Sequence, residues 1–190
     1  MITMTRRIGI YPGTFDPVHQ GHLAFCLKAL EQGELDEIVL VPERFPRNKP
    51  GAIALSERLA LLEEAIAPFP FLGVTALISD KFTVERTLPE LHRRFEGAKL
   101  SLLIGSDVVS SLGAWEGIHT LTSDMSLVIG MREADTVSAV ELTLRQIGQS
   151  QNISIRYSLI ETIHADVASS RIRKGEMALD LSLSRMEWQS

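Results

Sequence analysis

Residues Gly13–Leu23, GTFDPVHQGHL, follow the short apolar run Ile8–Tyr11, and these two stretches decide how the rest of the chain is arranged. The apolar run predicts a buried strand, and the glycine and two prolines near it predict a tight turn. A helix is predicted to begin near Gln20 or Gly21, because apolar residues then recur at the spacing of one helix face. That face consists of Leu23, Cys26, Leu27 and Leu30.

The residues of this loop suit an anionic ligand. Gly13 has no side chain, so a phosphate can approach its backbone closely, and the first N–H groups of a helix attract negative charge. His19 and His22 lie three residues apart, so both rings can face one point at the helix start. Such a pair can stabilise charge on a phosphoryl group. The alternatives for the histidines are surface residues and half of a metal site, although no third zinc ligand is placed nearby.

The whole stretch resembles the first motif of the nucleotidylyltransferase superfamily, Gly-Thr-Phe-Asp-Pro-x-His-x-Gly-His. In that superfamily the two histidines contact the phosphates of a nucleotide while an AMP or CMP unit is transferred. The resemblance implies that His19, His22 and Thr14 are the catalytic residues. It also implies that the nucleotide is contacted by Gly13, Phe15 and Gly21.

Composition argues against several other classes of protein. The net charge of −5 argues against a nucleic-acid partner, which requires a basic face. The single cysteine, Cys26, allows no internal disulfide and is predicted to be packed. No apolar run approaches the roughly 20 residues that cross a bilayer, and no signal peptide precedes the first strand. We therefore expect a cytoplasmic protein without a membrane partner, whose 190 residues form a single domain, residues 1–190.

Strand and helix patterns alternate along the chain. Glu37–Val41 predicts a second buried strand, so strand, helix and strand form a βαβ unit with parallel strands. The fold class predicted is α/β, a doubly wound, Rossmann-like parallel sheet with helices on both faces. Further strands are predicted at Phe71–Leu77, Leu100–Ile104, Ser126–Met131 and Ile153–Tyr157. Helices are predicted at Leu55–Ala67, Thr83–Phe95, Val108–Leu112, Glu116–Leu121 and Ala134–Gln149. Pro89 predicts either a late start or a kink in the second of these helices.

A second stretch, Val167–Gly175 (VASSRIRKG), also suits phosphate. Ser169 and Ser170 offer hydroxyls at the start of a predicted short helix, and basic residues follow them. From the residues alone, a capped helix on the surface is an equally good interpretation. The stretch resembles the superfamily's second motif, Ile-Ser-Ser-Thr-x-Ile-Arg. This resemblance implies that Ser169, Ser170 and Arg173 hold the β- and γ-phosphates of ATP.

Between the two motifs, Gly105-Ser106-Asp107 precedes Trp115 and Arg132. The carboxylate of Asp107 follows a predicted strand, where it suits ribose hydroxyls or caps a helix. Trp115 either packs between two short helices or contacts a ligand. This block resembles bacterial nicotinate mononucleotide adenylyltransferases, in which the tryptophan lies against the pyridine ring. The resemblance implies ATP contacts by Gly105 and Asp107, and acceptor contacts by Lys49, Thr83, Trp115 and Arg132. For Lys49, in a loop with three prolines, the alternative is a solvated connection.

The resemblance implies transfer of AMP from ATP to nicotinate mononucleotide, which gives deamido-NAD and pyrophosphate in NAD biosynthesis. ATP and a pyridine mononucleotide are thus the expected partners. The attacking phosphate oxygen is already ionised, so positioning and charge stabilisation suffice without a general base. Mg²⁺ is expected on the triphosphate, with no protein metal site. The alternatives are nicotinamide mononucleotide or 4′-phosphopantetheine as the acceptor, and a nucleotide-binding module without catalysis. The sequence leaves the oligomeric state open, self-association included.

Overall fold

A six-stranded sheet, parallel throughout, forms the centre of the computed structural model, which describes residues 5–46, 51–132 and 134–161. The strands are β1 (Arg7–Gly13), β2 (Glu37–Pro42), β3 (Leu72–Val74), β4 (Lys99–Gly105), β5 (Ser126–Met131) and β6 (Tyr157–Glu161). The helices are α1 (Gln20–Gln32), α2 (Leu55–Ile66), α3 (Val84–Arg94), α4 (Ser106–Leu112), α5 (Ile118–Asp124) and α6 (Val137–Gln151). None of these helices is both long and apolar enough to cross a membrane.

The strand order is β3-β2-β1-β4-β5-β6, which confirms the predicted doubly wound α/β fold. The chain moves outward from β1 to β3 on one side of the sheet, then crosses back and moves outward from β4 to β6. In sheets of this kind ligands bind beyond the carboxyl ends of the strands, where the order reverses. Gly13 ends β1 and Gly105 ends β4, so both glycines lie at this reversal.

The core consists of two layers, one on each face of the sheet. Because side chains alternate along a strand, Ile8 and Ile10 of β1 face the layer that contains α3 to α6. Ile38 and Leu40 of β2 face the other layer, which contains α1 and α2. Cys26 lies in this second layer, and burial raises the pKa of its thiol. The prediction that this cysteine is packed is therefore confirmed.

The last strand lies later in the chain than predicted, so the assignment of Ile153–Tyr157 is wrong. α6 ends with Asn152 in the left-handed conformation, and the Ile153 N–H donates to the carbonyl of Gly148. Ile153 and Ile155 pack against the core without strand pairing, and the chain joins the sheet only at Tyr157. The apolar alternation thus marked packing residues that precede the strand.

Two further differences concern the third strand and the helix that contains Pro89. The third strand, predicted over Phe71–Leu77, is only the three residues of β3. α3 begins at Val84 and contains Pro89 in its second turn, so the late start considered for this helix is wrong.

Gly130 of β5 permits the close packing of α1 on the sheet. A Cβ atom at this position would lie 2.9 Å from carbons of the Phe25 ring. That ring is buried and packs edge-on against Tyr11, with 5.3 Å between the ring centroids. We expect Gly130→Ala to lower the free energy of unfolding by about 1–3 kcal/mol, as overpacking does, in urea denaturation.

Gly73→Ala in β3 is the matched control, because the nearest atom to its Cβ would lie 3.8 Å away. The control is expected to change the free energy of unfolding by less than about 0.5 kcal/mol. Equal losses for the two variants would contradict the proposed role of the Phe25 contact.

Candidate active site

A cavity of about 790 Å³ opens at the carboxyl ends of β1 and β4. Its walls come from the end of β1 through the first turn of α1, the residue after β2, the start of α3, the segment from the end of β4 to the loop before α5, and the residue after β5. The predicted site residues on these walls are Gly13, Thr14, Phe15, His22, Thr83, Gly105, Asp107, Trp115 and Arg132. Residues from four separate stretches of the sequence, predicted for both substrates, thus line one cavity.

Two of the predicted site residues that the structure describes lie away from the cavity wall. His19 and Gly21 do not line the cavity. The predictions for Lys49, Ser169, Ser170 and Arg173 lie outside the described residues. Wall residues that sequence analysis missed include Tyr11, Glu43, Phe82, Glu85, Arg86 and Glu116.

The two histidines have different environments. His19 is 5% exposed and precedes the first residue of α1, while His22 lies in the first turn and lines the cavity. Their rings stack, with centroids 3.7 Å apart and planes inclined by 28°. Phe15 packs edge-on against His22 at 5.0 Å. The rings of His19 and Phe15 therefore fix the His22 imidazole from two directions, and His19 acts as its support.

Tyr11 completes this aromatic group at the end of β1. Its ring packs edge-on against Phe15 and Phe25, at 5.3 Å from each. Burial raises the pKa of the Tyr11 phenol, so its hydroxyl stays protonated at neutral pH. On the cavity wall this side chain is therefore neutral.

The backbone sets the tautomer of His22. The His19 N–H donates to Nδ1 of His22 over 3.2 Å, so this nitrogen carries no proton in that bond. In a neutral imidazole the proton must then reside on Nε2. His22 is thereby prepared to donate a hydrogen bond from Nε2, the form that suits a phosphate oxygen.

A buried arginine holds the loops behind the cavity. Arg58 is 1% exposed, and its guanidinium donates to the carbonyls of Ile53, Thr14 and Glu43 over 3.0, 2.7 and 2.9 Å. Burial lowers the pKa of Arg58, and the carboxylates of Asp16 and Glu43 oppose that shift. Guanidinium groups remain charged in proteins even so.

Sequence analysis missed Arg58, although a signal was present. In the predicted helix it stands three residues after Leu55 and four before Leu62, on the apolar face. A charged residue at such a position is rarely buried without partners. The pattern therefore indicated a structural cation, but not the loops that it binds.

Asp107 and Arg132 form an ion pair at the cavity rim, with 3.1 Å between Arg132 Nε and Asp107 Oδ1. The alternative that Asp107 caps a helix is wrong, because Gly105 is the cap residue of α4 and Asp107 is the second helical residue. A Cβ atom at Gly105 would collide with the Asp107 carboxylate. Ser106 holds the start of α4 against the segment after β5, since its hydroxyl accepts from the Arg132 N–H and donates to Asp135.

The opposite wall is the start of α3 together with Trp115. Thr83 precedes the first residue of α3, and Val84, Glu85 and Arg86 line the cavity. The first N–H groups of a helix have no partner within the helix, so this wall offers donors to an anion. The Thr83 hydroxyl is buried and has no hydrogen-bond partner among the described residues. Trp115 packs against the core and also lines the cavity, so packing is confirmed and its contact with a ligand stays a prediction.

Comparison with known proteins places the chain in a family. Residues 10–175 match the family model described as cytidylyltransferase-like, which spans most of the sequence. The chain therefore belongs to the cytidylyltransferase-like family, and its class is that of a nucleotidyltransferase.

The names of similar proteins specify one kind of nucleotidyltransferase. A curated relative from Neisseria meningitidis serogroup A, named probable nicotinate-nucleotide adenylyltransferase, is 30% identical over 89% of this chain and 88% of its own length. One of the same name from Clostridium perfringens strain SM101 is 27% identical over 89% and 85%. The solved nicotinic acid mononucleotide adenylyltransferase of Plasmodium falciparum, complexed with NaAD, matches with a TM-score of 0.69 at 18% identity, covering 89% of this chain and 83% of that one.

The His22 tautomer can be tested directly. Nitrogen-15 NMR of the imidazole rings at neutral pH is expected to show His22 with its proton on Nε2, because Nδ1 accepts the His19 N–H. The His22→Gln variant identifies the signals. A ring protonated on Nδ1 alone would contradict the geometry of this helix start.

Proposed function

We propose that this protein is a nicotinate-nucleotide adenylyltransferase, which transfers AMP from ATP to nicotinate mononucleotide and releases pyrophosphate. The observation that carries the proposal is that wall residues predicted for ATP and for the acceptor lie together in one cavity. The names of the relatives, which align over most of their own length, support the same reaction.

On the nucleotide side, the β1–α1 loop is proposed to bind the α- and β-phosphates. His22 donates from Nε2 to a phosphate oxygen, and Thr14 supplies a hydroxyl from the loop on the cavity wall. The start of α1 adds N–H groups and a favourable dipole. Charge that develops as pyrophosphate leaves is stabilised by these fixed donors. Ser169, Ser170, Arg173 and Lys49 remain predicted phosphate or acceptor contacts.

On the acceptor side, the start of α3 favours an acid over an amide. A nicotinate carboxylate can accept from the N–H groups at a helix start, and Thr83, whose hydroxyl has no partner among the described residues, lies in the same wall. A neutral nicotinamide would gain less from these donors. Trp115 supplies a flat apolar face for the pyridine ring. These features support nicotinate mononucleotide as the acceptor.

Mg²⁺ is proposed to enter with ATP. No group of three or more histidine, cysteine or acidic side chains within the described ranges could hold a metal ion. Two wall carboxylates are already engaged, Glu43 with the Phe82 N–H and Asp107 with Arg132. Mg²⁺ commonly takes its ligands from phosphates and waters with few carboxylates, so these residues fit an ion carried on the triphosphate, where it offsets phosphate charge.

The proposed reaction is tested by pyrophosphate release from ATP with three acceptors: nicotinate mononucleotide, nicotinamide mononucleotide and 4′-phosphopantetheine. Nicotinate mononucleotide is expected to be the best substrate. His22→Ala is expected to lower kcat by about 10²–10³, the usual loss for one preorganised charge-stabilising donor. His92→Ala is the matched control, because His92 lies on α3 away from the cavity wall and pairs with Asp124.

Each other outcome has a defined meaning. A preference for 4′-phosphopantetheine would overturn the acceptor and leave adenylyl transfer intact. Release of no pyrophosphate with any of the three would instead favour a nucleotide-binding module.

Trp115 tests the acceptor wall separately. Trp115→Ala is expected to raise the KM for nicotinate mononucleotide by several-fold to tenfold, since an aromatic contact contributes about 0.5–1.5 kcal/mol beyond area burial. The KM for ATP should stay close to that of the parent. Trp115→Phe keeps a flat ring and should retain most acceptor affinity. An equal rise in both KM values would assign Trp115 to packing alone.

A further inference from the structure

We propose that Arg58 and Glu43 are positioning residues, which together hold the nucleotide-side loop and the acceptor-side wall of the cavity at a fixed separation. The inference rests on the proposed function, because it assigns the two walls to the two substrates. The carrying observation is a continuous chain of hydrogen bonds from Thr14 through Arg58 and Glu43 to Phe82.

Arg58 links Thr14, the nucleotide-side end of this chain of hydrogen bonds, to Glu43. All three of its guanidinium nitrogens donate to backbone carbonyls: Nε to Ile53, Nη1 to Thr14, and Nη2 to Glu43. Nη2 also contacts the Arg44 carbonyl at 3.3 Å. Arg58 does not line the cavity, so it acts on a substrate only through the loops that it holds. A planar fork of donors suits this task, since one lysine ammonium cannot reach all of these carbonyls.

Glu43 forms hydrogen bonds to three separate segments, those that contain Gly13, Arg58 and Phe82. Its N–H donates to the Gly13 carbonyl over 2.9 Å, and its own carbonyl accepts from Arg58. Its carboxylate oxygen Oε1 accepts the Phe82 N–H over 3.1 Å. Phe82 directly precedes Thr83, the residue before α3, so this bond sets the position of the acceptor wall. The backbone of Glu43 thus serves the nucleotide side and its side chain serves the acceptor side.

This division predicts different kinetic effects for the two residues. Loss of the Glu43 carboxylate should release the start of α3 and leave the Gly13 and Arg58 contacts of the backbone in place. Loss of the Arg58 fork should release Thr14 and Glu43 together, so both substrates should be affected. A merely structural role would lower the melting temperature without such a separation.

The Glu43 test compares Glu43→Leu with Glu43→Gln. Glutamine keeps an oxygen acceptor for the Phe82 N–H, and leucine does not. Glu43→Leu is expected to raise the KM for nicotinate mononucleotide by roughly tenfold, the scale of one hydrogen bond to a charged group. Its KM for ATP should stay within about twofold, and Glu43→Gln should stay close to the parent. Equal KM values for the leucine and glutamine variants would overturn the assignment of Glu43.

The Arg58 test uses Arg58→Lys, which keeps the charge and loses the fork. It is expected to raise the KM for both substrates and to lower kcat at a temperature where the variant is fully folded. Its affinity for a nonhydrolysable ATP analogue, measured by calorimetry, should fall by about tenfold. A folded Arg58→Lys variant with the parent's affinity and kinetics would overturn the role of Arg58. If Arg58→Lys does not fold, the comparison of Glu43→Leu with Glu43→Gln decides the inference.

The same measurements separate this inference from the proposed function. If the parent protein transfers no AMP to nicotinate mononucleotide, the proposed function fails. The effect of Arg58→Lys on affinity for the ATP analogue still tests the positioning of Thr14, because it needs no acceptor. If the parent is active and these variants behave like it, only the positioning inference fails.

Discussion

Parallel pairing of β1 with both β2 and β4 is the constraint on which the rest of the structure depends. Because the strands are parallel, their carboxyl ends meet at one edge, where Gly13 lies opposite Pro42. The connections from β1 and β4 then leave toward opposite faces, since α1 and α4 belong to different core layers. A crevice opens between these two connections, and the polar residues of the candidate site line it.

The parts that were predictable from sequence are those fixed by local pattern. The start of α1 and the bounds of β5 agree with prediction because each depends on the apolar spacing of its own residues. The fold class followed from the alternation of such segments. Nine of the twenty residues that line the cavity were found, because they stand in recognisable motifs.

What was not predictable depends on contacts between distant residues. Arg58 and Thr14 are 44 positions apart, and nothing in either segment specifies the other. The Asp107–Arg132 pair joins residues predicted for separate ligands. His19 and His22 looked equivalent in the motif, yet the helix start places one behind the other. Periodicity identifies buried positions, but it cannot say which polar groups meet there.

The ion pair at the rim affects how a charged ligand finds the cavity. Arg132 is already neutralised by Asp107, and the whole chain carries a net charge of −5. An anionic nucleotide therefore gains little long-range attraction from this pair. At this part of the rim, capture depends on donors and shape that act within roughly 8 Å, the distance over which physiological salt leaves exposed charges unscreened. The pair thus orders the rim of the cavity without adding electrostatic steering toward it.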